Sequence, residues 1–354
     1  MLFMVFFGLG IFPAGAAFTS FYVFGDSLST VTNNSVIAYG YYGNRYSNGR
    51  VWVEVLAQRL GLTFNLANNT NAFWGNTSSN LVGEVNSYVP PPDASNALVV
   101  IWVNNADLYF PASDQPPTLT GFNTVISQAQ TNHYYAITNL YAKGIRNLVM
   151  PNVVDISTIP AFNSNPGYKS LFHQASTNYN AVFYTVLNQA RTNCPGLTIY
   201  VPDYFALLTN LMAYPASYGV TNALQNGVSI DALAALGNPS LTNGPGTNYI
   251  FWDYIDPTAL VHSIMASVAQ QLIAPVQLQL NRIVPANGSN QLVVVNMPIG
   301  MNGFVLSTTN LTPALWLTNS PGFTSQTNMP SISVPIAGPQ QFYRLYFPWQ
   351  WSWP

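Results

Sequence analysis

The sequence predicts an α/β protein, a three-layer α/β/α sandwich around a parallel sheet, followed by a small antiparallel β-domain. Three observations predict this fold class. Short apolar runs alternate with segments of helical periodicity up to about residue 275. Residues 97–103 are apolar almost throughout, which is typical of a central parallel strand that is buried on both faces. From residue 281 onward the helical spacing disappears, and short alternating runs separated by turn residues replace it.

The first predicted strand stops at a Gly-Asp-Ser turn. The aromatic and β-branched residues 21–24 indicate a buried strand, and the small residues that follow place Ser27 at its carboxyl end. In an open α/β sheet this end faces the binding crevice, so a serine there can meet a substrate. The alternative is that Asp26 and Ser27 only cap a following helix.

The elements after this turn alternate between helix and strand. The predicted helices cover residues 50–60, 119–143, 169–192 and 257–273. The predicted strands cover residues 62–67, 97–103, 146–151 and 197–201. Residues 30–49, which are rich in Tyr and Asn, read as an irregular segment over the crevice. Such alternation with right-handed crossovers produces a parallel sheet between two layers of helices.

The chain divides into three predicted parts. Residues 1–17 form a signal peptide, residues 18–275 the α/β domain, and residues 284–354 a small β-sandwich-like domain. An apolar run over the first twelve residues, followed by small residues, supports the signal peptide, although a basic leading segment is missing. The run is too short to span a bilayer stably, and the alternative is a buried first strand or helix. We therefore expect a secreted, periplasmic or cell-surface protein.

The composition excludes some classes of partner. Only 6% of residues are charged, far below the roughly 25% of ordinary soluble domains. Nucleic acid binding needs clustered Lys and Arg, and 9 basic residues against 11 acidic ones provide no such patch. A neutral, polar and aromatic surface suits an extracellular protein that meets neutral small-molecule or polysaccharide substrates. No cofactor or metal is expected, and the sequence leaves the oligomeric state open.

Five motifs occur in a characteristic order. They are Phe24-Gly25-Asp26-Ser27-Leu28, Tyr46-Ser47-Asn48-Gly49-Arg50-Val51-Trp52, Trp74-Gly75-Asn76-Thr77-Ser78-Ser79-Asn80-Leu81, Val99-Val100-Ile101-Trp102-Val103-Asn104-Asn105-Ala106-Asp107-Leu108, and Phe251-Trp252-Asp253-Tyr254-Ile255-Asp256-Pro257-Thr258. Together they resemble the conserved blocks of the GDSL, or SGNH, family of serine esterases and lipases. The resemblance implies a flavodoxin-like parallel sheet and hydrolysis of acyl or acetyl esters, polysaccharide esters included, through an acyl-enzyme on Ser27.

The resemblance also implies an oxyanion hole, since preorganised donors must stabilise the charge that develops on the carbonyl oxygen. Ser27 and Gly75 match the family's two backbone N–H donors. The family's third donor is an asparagine side chain, but an ungapped alignment places Ala106 at that position. We predict that Asn105 is the third donor, with Asn104 as the alternative.

The general base is the second departure from the family pattern. A serine hydroxyl needs a base to become a good nucleophile, and the family uses Asp-x-x-His. Here Asp253 matches the aspartate, but Asp256 occupies the histidine position, where an aspartate could act only if its pKa were strongly raised. Asp256 also fits a helix N-cap before Pro257. We predict His262 as the base, with Asp253 as its orienting partner.

The other two histidines are weaker candidates, because His133 and His173 fall within predicted helices. Two functions therefore compete. The preferred one is a secreted serine esterase, which the intact Gly25-Asp26-Ser27 favours. The alternative is a catalytically degenerate member of the same fold that acts as a glycan-binding or structural surface protein, which the changed asparagine and histidine positions favour.

Overall fold

The computed structural model describes residues 18–34, 40–163, 165–237, 239, 246, 248–284, 288–298, 301–318, 322–327, 329–336 and 340–347. The predicted signal peptide, residues 1–17, lies outside the described residues.

A five-stranded parallel sheet forms the centre of the α/β domain. Its strands are β1 (Ser20–Gly25), β2 (Asn71–Ala72), β3 (Ala97–Trp102), β4 (Asn147–Val149) and β5 (Thr198–Tyr200). They lie in the order β2-β1-β3-β4-β5, and all neighbouring pairs are parallel. This is the flavodoxin-like order, so the predicted fold class is confirmed.

Helices pack around this sheet in two groups. The helices are α1 (Trp52–Arg59), α2 (Ser78–Ser87), α3 (Asn104–Ser113), α4 (Leu119–Ala142), α5 (Pro160–Asn163), α6 (Lys169–Asn193), α7 (Tyr204–Ala213), α8 (Ala232–Leu236) and α9 (Ala259–Ile273). Helix α1 packs against α9, whereas α4 packs against both α2 and α6. One continuous apolar core joins the helices to the sheet, and every residue of β3 is buried in it. At its centre the rings of Trp52, Trp102 and Tyr204 meet edge to face.

The second strand and the last helix of the α/β domain differ from the sequence prediction. The second strand is Asn71–Ala72 rather than residues 62–67, because Asn65 accepts a hydrogen bond from Ala67 N and starts a 3₁₀ turn over Leu66–Asn69. The last helix of the domain begins at Ala259, since Thr258 is its N-cap. The predicted start of this helix at residue 257 was therefore wrong, and Asp256, which also fitted a helix N-cap, does not cap α9.

The remaining strands are antiparallel. A short hairpin, β6 (Leu224–Gln225) and β7 (Val228–Ser229), lies within the α/β domain. The C-terminal strands are β8 (Gln277–Val284), β9 (Ser289–Val295), β10 (Asn302–Thr308), β11 (Leu317–Thr318), β12 (Phe323–Thr324), β13 (Ser331–Pro335) and β14 (Phe342–Tyr346). They form one sheet in the order β13-β9-β8 and a second in which β10 pairs with β11, β12 and β14. The first of them begins before residue 284, where we placed the start of this domain.

Alternating side chains of the C-terminal strands form a second apolar core. Its buried residues are Leu292, Val294, Met297, Val305, Ile332 and Val334. Asn296 connects this part to the end of α9, because its carbonyl accepts from Gln270 Nε2 and its Nδ2 donates to Pro275 O. Within the described ranges, no helix combines the length and hydrophobicity that crossing a bilayer requires.

Candidate active site

Ser27 stands at the carboxyl edge of the sheet, two residues after the end of β1. A single 3₁₀ turn over Ser27–Ser29 follows the strand, and its N-cap is Asp26, whose Oδ1 accepts from Leu28 N at 3.1 Å. Asp26 N donates to Trp102 O at 3.0 Å, which fixes the turn to β3. The turn requires glycine at position 25, because a Cβ there would lie 2.6 Å from Ser29 Cβ.

The hydroxyl of Ser27 donates a hydrogen bond to Asp256 Oδ1 at 2.8 Å. Asp256 belongs to the loop that precedes α9, so the first and fifth sequence motifs meet here. Both side chains are buried, Ser27 being 6% and Asp256 2% exposed. A serine hydroxyl and a carboxylate thus form a close pair that is shielded from bulk water.

Hydrogen bonds close the Asp256 loop into a rigid turn. Asp253 Oδ1 accepts from the backbone N–H groups of Ile255 and Asp256 at 2.8 and 2.7 Å. The carbonyl of Asp256 in return accepts from Trp252 N at 2.8 Å. Tyr41, from the loop after β1, donates to Asp253 Oδ2 at 2.8 Å. Asp253 therefore orients Asp256 through its backbone.

Two side chains of the second motif also form hydrogen bonds with the segment that runs from Asp256 into α9. Ser47 Oγ donates to Pro257 O at 3.1 Å, and Asn48 Oδ1 accepts from Ala259 N at 2.7 Å. Sequence reasoning assigned no role to these side chains or to Tyr41. The resemblance of the second motif to a family block was the one sequence signal for Ser47 and Asn48.

The carboxyl groups at this edge hold their protons more tightly than exposed ones. Burial raises the pKa of Asp256 well above its usual value, and the nearby charge of Asp253 raises it further, although the bond from Ser27 lowers it. Burial likewise raises the pKa of Asp253, and it raises the pKa of Asp26 to about 7. Charge at the site therefore changes in the range of neutral pH.

The structure does not bring His262 to Ser27. Its side chain is fully buried in the second turn of α9, where Nδ1 accepts from Trp52 N at 3.3 Å. Nε2 has no hydrogen-bond partner among the described residues, and burial lowers the pKa of the imidazole to about 3. The helical phase directs this residue toward the start of α1, so Asp256 takes the position beside Ser27 that the sequence analysis gave to His262.

The other two histidines are also bonded elsewhere. His133 Nδ1 lies 2.9 Å from Ala129 O inside α4, and His173 Nδ1 lies 2.6 Å from Asp155 Oδ2. None of the three histidines of the chain hydrogen-bonds to Ser27.

Two predicted oxyanion donors, Gly75 and Asn105, line the same cavity as Ser27. Gly75 has a φ of +76°, a conformation that glycine adopts readily, and a Cβ there would lie 3.4 Å from Phe110 Cζ. Asn105 lies in the first turn of α3, where its Oδ1 accepts from Val154 N at 3.2 Å. Its Nδ2 is 3.5 Å from Asp26 Oδ2.

Asn104, the alternative donor, is bonded away from Ser27. Its Nδ2 donates to Pro151 O at 2.9 Å, while its Oδ1 is buried and finds no hydrogen-bond partner in the described part of the chain. The Asn105 prediction therefore fits the geometry better than the Asn104 alternative.

The cavity beside Ser27 has a volume of about 80 Å³ and a largely apolar lining. Helix α7 contributes Leu207, Leu208 and Leu211, and α9 contributes Val261 and Met265. Further apolar lining residues are Leu28, Trp74, Trp102, Val154, Ile156, Ile159, Phe162, Ile250, Phe251, Ile255 and Pro257. They come from segments far apart in the chain, so no sequence signal marked them as one surface.

Within the described part of the chain, no three His, Cys, Asp or Glu side chains are arranged to hold a metal ion. The groups around Ser27 are a hydroxyl, carboxyls, amides and an apolar surface. Such a set can bind an uncharged acyl group and move a proton.

Comparison with known proteins identifies relatives of this chain. Two GDSL esterase/lipases of Arabidopsis thaliana are 24% and 20% identical over 319 and 321 residues, which in each case is 72% of this chain and 87% and 89% of the relative. Among solved structures, the acetylxylan esterase Axe2 of Geobacillus stearothermophilus is similar with 12% identity and a TM-score of 0.44, covering 74% of this chain and 97% of that one. The lipase Lip_vut3 from a goat rumen metagenome is similar with 12% identity and a TM-score of 0.42, and the match covers 72% of this chain and 97% of the lipase.

The family model described as GDSL-like lipase/acylhydrolase matches residues 21–269, which is well over half of the chain. All five motifs lie within that range, and the resemblance drawn from them is confirmed. The chain belongs to the GDSL-like lipase/acylhydrolase family, which is a family of carboxylic ester hydrolases.

Proposed function

We propose that the protein is a secreted serine esterase that cleaves acyl esters through an acyl-enzyme on Ser27. One observation carries the proposal: Ser27 lines an apolar cavity, and its Oγ lies 2.8 Å from the buried carboxyl group of Asp256. A nucleophile needs a proton acceptor on one side and room for its electrophile on the other, and Ser27 has both.

The neighbouring donors support acyl transfer. In the proposed reaction Ser27 Oγ attacks the ester carbonyl, and the oxyanion is stabilised by the N–H groups of Ser27 and Gly75 and by Asn105 Nδ2. Asn105 Oδ1 accepts from Val154 N, so the NH₂ group is the part of the amide that can donate to an oxyanion. The bond from Nδ2 to Asp26 is long at 3.5 Å, so an oxyanion can replace it at little cost.

The cavity supports a hydrocarbon acyl group as the bound part of the ester. Its walls are mainly Leu, Ile, Val and aromatic side chains, which gain free energy from excluding water. The alcohol part would leave past Trp74, whose side chain is 42% exposed beside the cavity. Neutral alcohols, polysaccharide hydroxyls among them, suit a surface with so few charges.

A second candidate function is favoured by the absence of an imidazole at Ser27. In that case the protein is a degenerate member of its family, and the cavity and the C-terminal sheets bind a glycan or its ester without turnover. Hydrolysis separates the two candidates, whereas binding alone does not.

The test compares wild type with Ser27→Ala on p-nitrophenyl acetate, butyrate and octanoate. We expect hydrolysis by wild type, none above background for Ser27→Ala, and an acyl adduct on Ser27 by mass spectrometry after rapid acid quenching. Ser87→Ala, which removes an exposed hydroxyl at the end of α2, is the matched control and should keep full activity. If wild type is no faster than Ser27→Ala on all three esters, the binding function replaces the esterase.

Secretion is proposed from the apolar run and small residues of positions 1–17. Expression of the whole sequence in a secreting host, followed by amino-terminal sequencing of the exported protein, tests it. We expect a mature chain that starts close to Phe18, whereas an exported or retained protein that still carries Met1 would contradict cleavage.

A further inference from the structure

We infer, on the basis of the proposed reaction at Ser27, that Asp256 is its general base and replaces the imidazole that the family places at this position. The Oγ–Oδ1 distance of 2.8 Å lies within the range over which a base can take a proton directly. No histidine of the chain hydrogen-bonds to Ser27, since His262 is bonded to Trp52 N and the other two are bonded within or beside their helices.

The surroundings of Asp256 make up for the weak basicity of an ordinary aspartate. In water a carboxylate with a pKa of about 3.9 is a poor proton acceptor compared with an imidazole of about 6.5. Asp256 is 2% exposed and lies beside a second carboxyl, Asp253, so both desolvation and repulsion raise the pKa of its carboxyl. A buried aspartate of this kind can accept a proton from serine and return it to a leaving alkoxide.

The backbone fixes Asp256 in place. Its N–H donates to Asp253 Oδ1, and its carbonyl accepts from Trp252 N. Asp253 is in turn held by the hydroxyl of Tyr41. Asp253 thus acts as a positioning residue, which in this chain orients a carboxylate through its main chain.

Four other titratable groups face Asp256. Asp253 and Tyr254 come from the same loop, Asp26 from the turn after β1, and Tyr41 from the loop that follows it. Burial, then the neighbouring Tyr109 and the carboxylates, raise the pKa of Tyr254 to about 12. Burial and Asp253 raise the pKa of Tyr41 further, so both phenols remain neutral below pH 9. Asp26, with a pKa raised to about 7 by burial, can ionise in the working range and would then make Asp256 harder to deprotonate.

The proposed step balances in protons and electrons. As the bond from Ser27 Oγ to the carbonyl carbon forms, the hydroxyl proton passes to Asp256 Oδ1 and the carbonyl π electrons move to oxygen. When the oxyanion collapses, the bond to the alkoxy oxygen breaks, and this oxygen takes the proton from Asp256. Water then repeats the sequence on the acyl-enzyme, and Ser27 regains its proton from Asp256.

The test uses a fluorophosphonate, because its reaction with serine reports activation of the nucleophile without knowledge of the natural ester. The Ser27 oxygen forms a P–O bond and fluoride leaves, so intact mass gives the labelling rate. We compare wild type, Asp256→Asn, His262→Asn and Asp107→Asn from pH 5 to 9. Asp107→Asn controls for loss of a buried carboxyl that is bonded to Ser78 and Tyr179 instead of Ser27.

We expect Asp256→Asn to label at least about a hundredfold more slowly than wild type. The wild-type rate should rise with pH as Asp256 ionises and then level off, whereas the Asp256→Asn rate should follow hydroxide without a plateau. His262→Asn and Asp107→Asn should keep the wild-type profile. The inference is overturned if Asp256→Asn labels like wild type, or if His262→Asn alone removes the plateau.

The same variants distinguish this inference from the proposed function. If wild type hydrolyses esters and Asp256→Asn does so equally well, the esterase function is supported and the role of Asp256 as base is overturned. If labelling of Ser27 depends on Asp256 but wild type hydrolyses none of the three esters, the role of Asp256 as base is supported and the esterase function is overturned.

Discussion

Tyr41 Oη donates a hydrogen bond to Asp253 Oδ2 at 2.8 Å, across 212 residues of sequence. This bond joins the loop after β1 to the loop that carries Asp256. It stabilises the ionised form of Asp253 and therefore lowers the pKa of that carboxyl, opposing the effect of burial.

Tyr41→Phe removes this donor and leaves a carboxylate oxygen in a buried site without it. A bond to a charged group contributes about 1.5 to 3 kcal/mol, so we expect a loss of that order in the free energy of unfolding, measured in urea. Ester hydrolysis should fall as well, because the Asp256 loop loses one of its supports. Tyr46→Phe, on the ring that packs edge-on against Tyr41, is the control, and an equal loss in both variants would contradict a specific role.

Asp107→Asn should make the free energy of unfolding less sensitive to rising pH. Burial raises the pKa of Asp107 to about 6, so the folded state keeps a proton that the unfolded state releases near pH 4. The stability from this group is complete below pH 4 and is lost as pH rises through 6. We expect wild type to lose on the order of 2 to 3 kcal/mol relative to the variant between pH 4 and 8, measured by urea unfolding. A difference that does not change with pH would contradict the assignment.

For His262→Asn we expect the opposite pH dependence of stability relative to wild type. Burial lowers the pKa of His262 to about 3, so from pH 6.5 downward the unfolded state takes up a proton that the folded state refuses. Wild type should therefore lose stability relative to the variant as pH falls from 6.5 toward 4. The asparagine can still accept from Trp52 N, which His262→Ala cannot, so the alanine variant should be the less stable of the two at pH 7. Equal stability of the two variants would argue against the Trp52 bond.

Leu208→Trp should shorten the acyl group that the protein accepts. Leu208 lines the cavity from α7, and a larger ring there occupies space that a hydrocarbon chain needs. We expect kcat/KM for the octanoate ester to fall at least tenfold more than for the acetate ester. Met212→Trp, on the same helix but outside the cavity lining, is the matched control. A parallel loss on both esters would indicate misfolding or a different acyl site.

The sequence by itself determined the fold and the position of Ser27. The continuous apolar run over residues 97–103 marks β3, because a strand buried on both faces has to be apolar throughout. The Gly-Asp-Ser turn marks the carboxyl end of β1, since the tight turn needs glycine at position 25. The strand and the turn depend on residues that are neighbours in sequence. The burial of the strand is visible in the pattern of apolar residues. Strands as short as β2, with two residues, leave too weak a pattern, and its location was missed.

Only the tertiary structure decided which group meets Ser27 and what surrounds it. Ser27 and Asp256 are 229 residues apart, and their contact depends on how a loop tied by Tyr41, Ser47 and Asn48 lies over the sheet edge. The phase of α9 directs His262 into the core, although its sequence distance from Asp253 suggested a pair. The apolar cavity is likewise assembled from several separate segments. Side-chain pairing and pKa depend on three-dimensional burial and charge, which local sequence patterns do not contain.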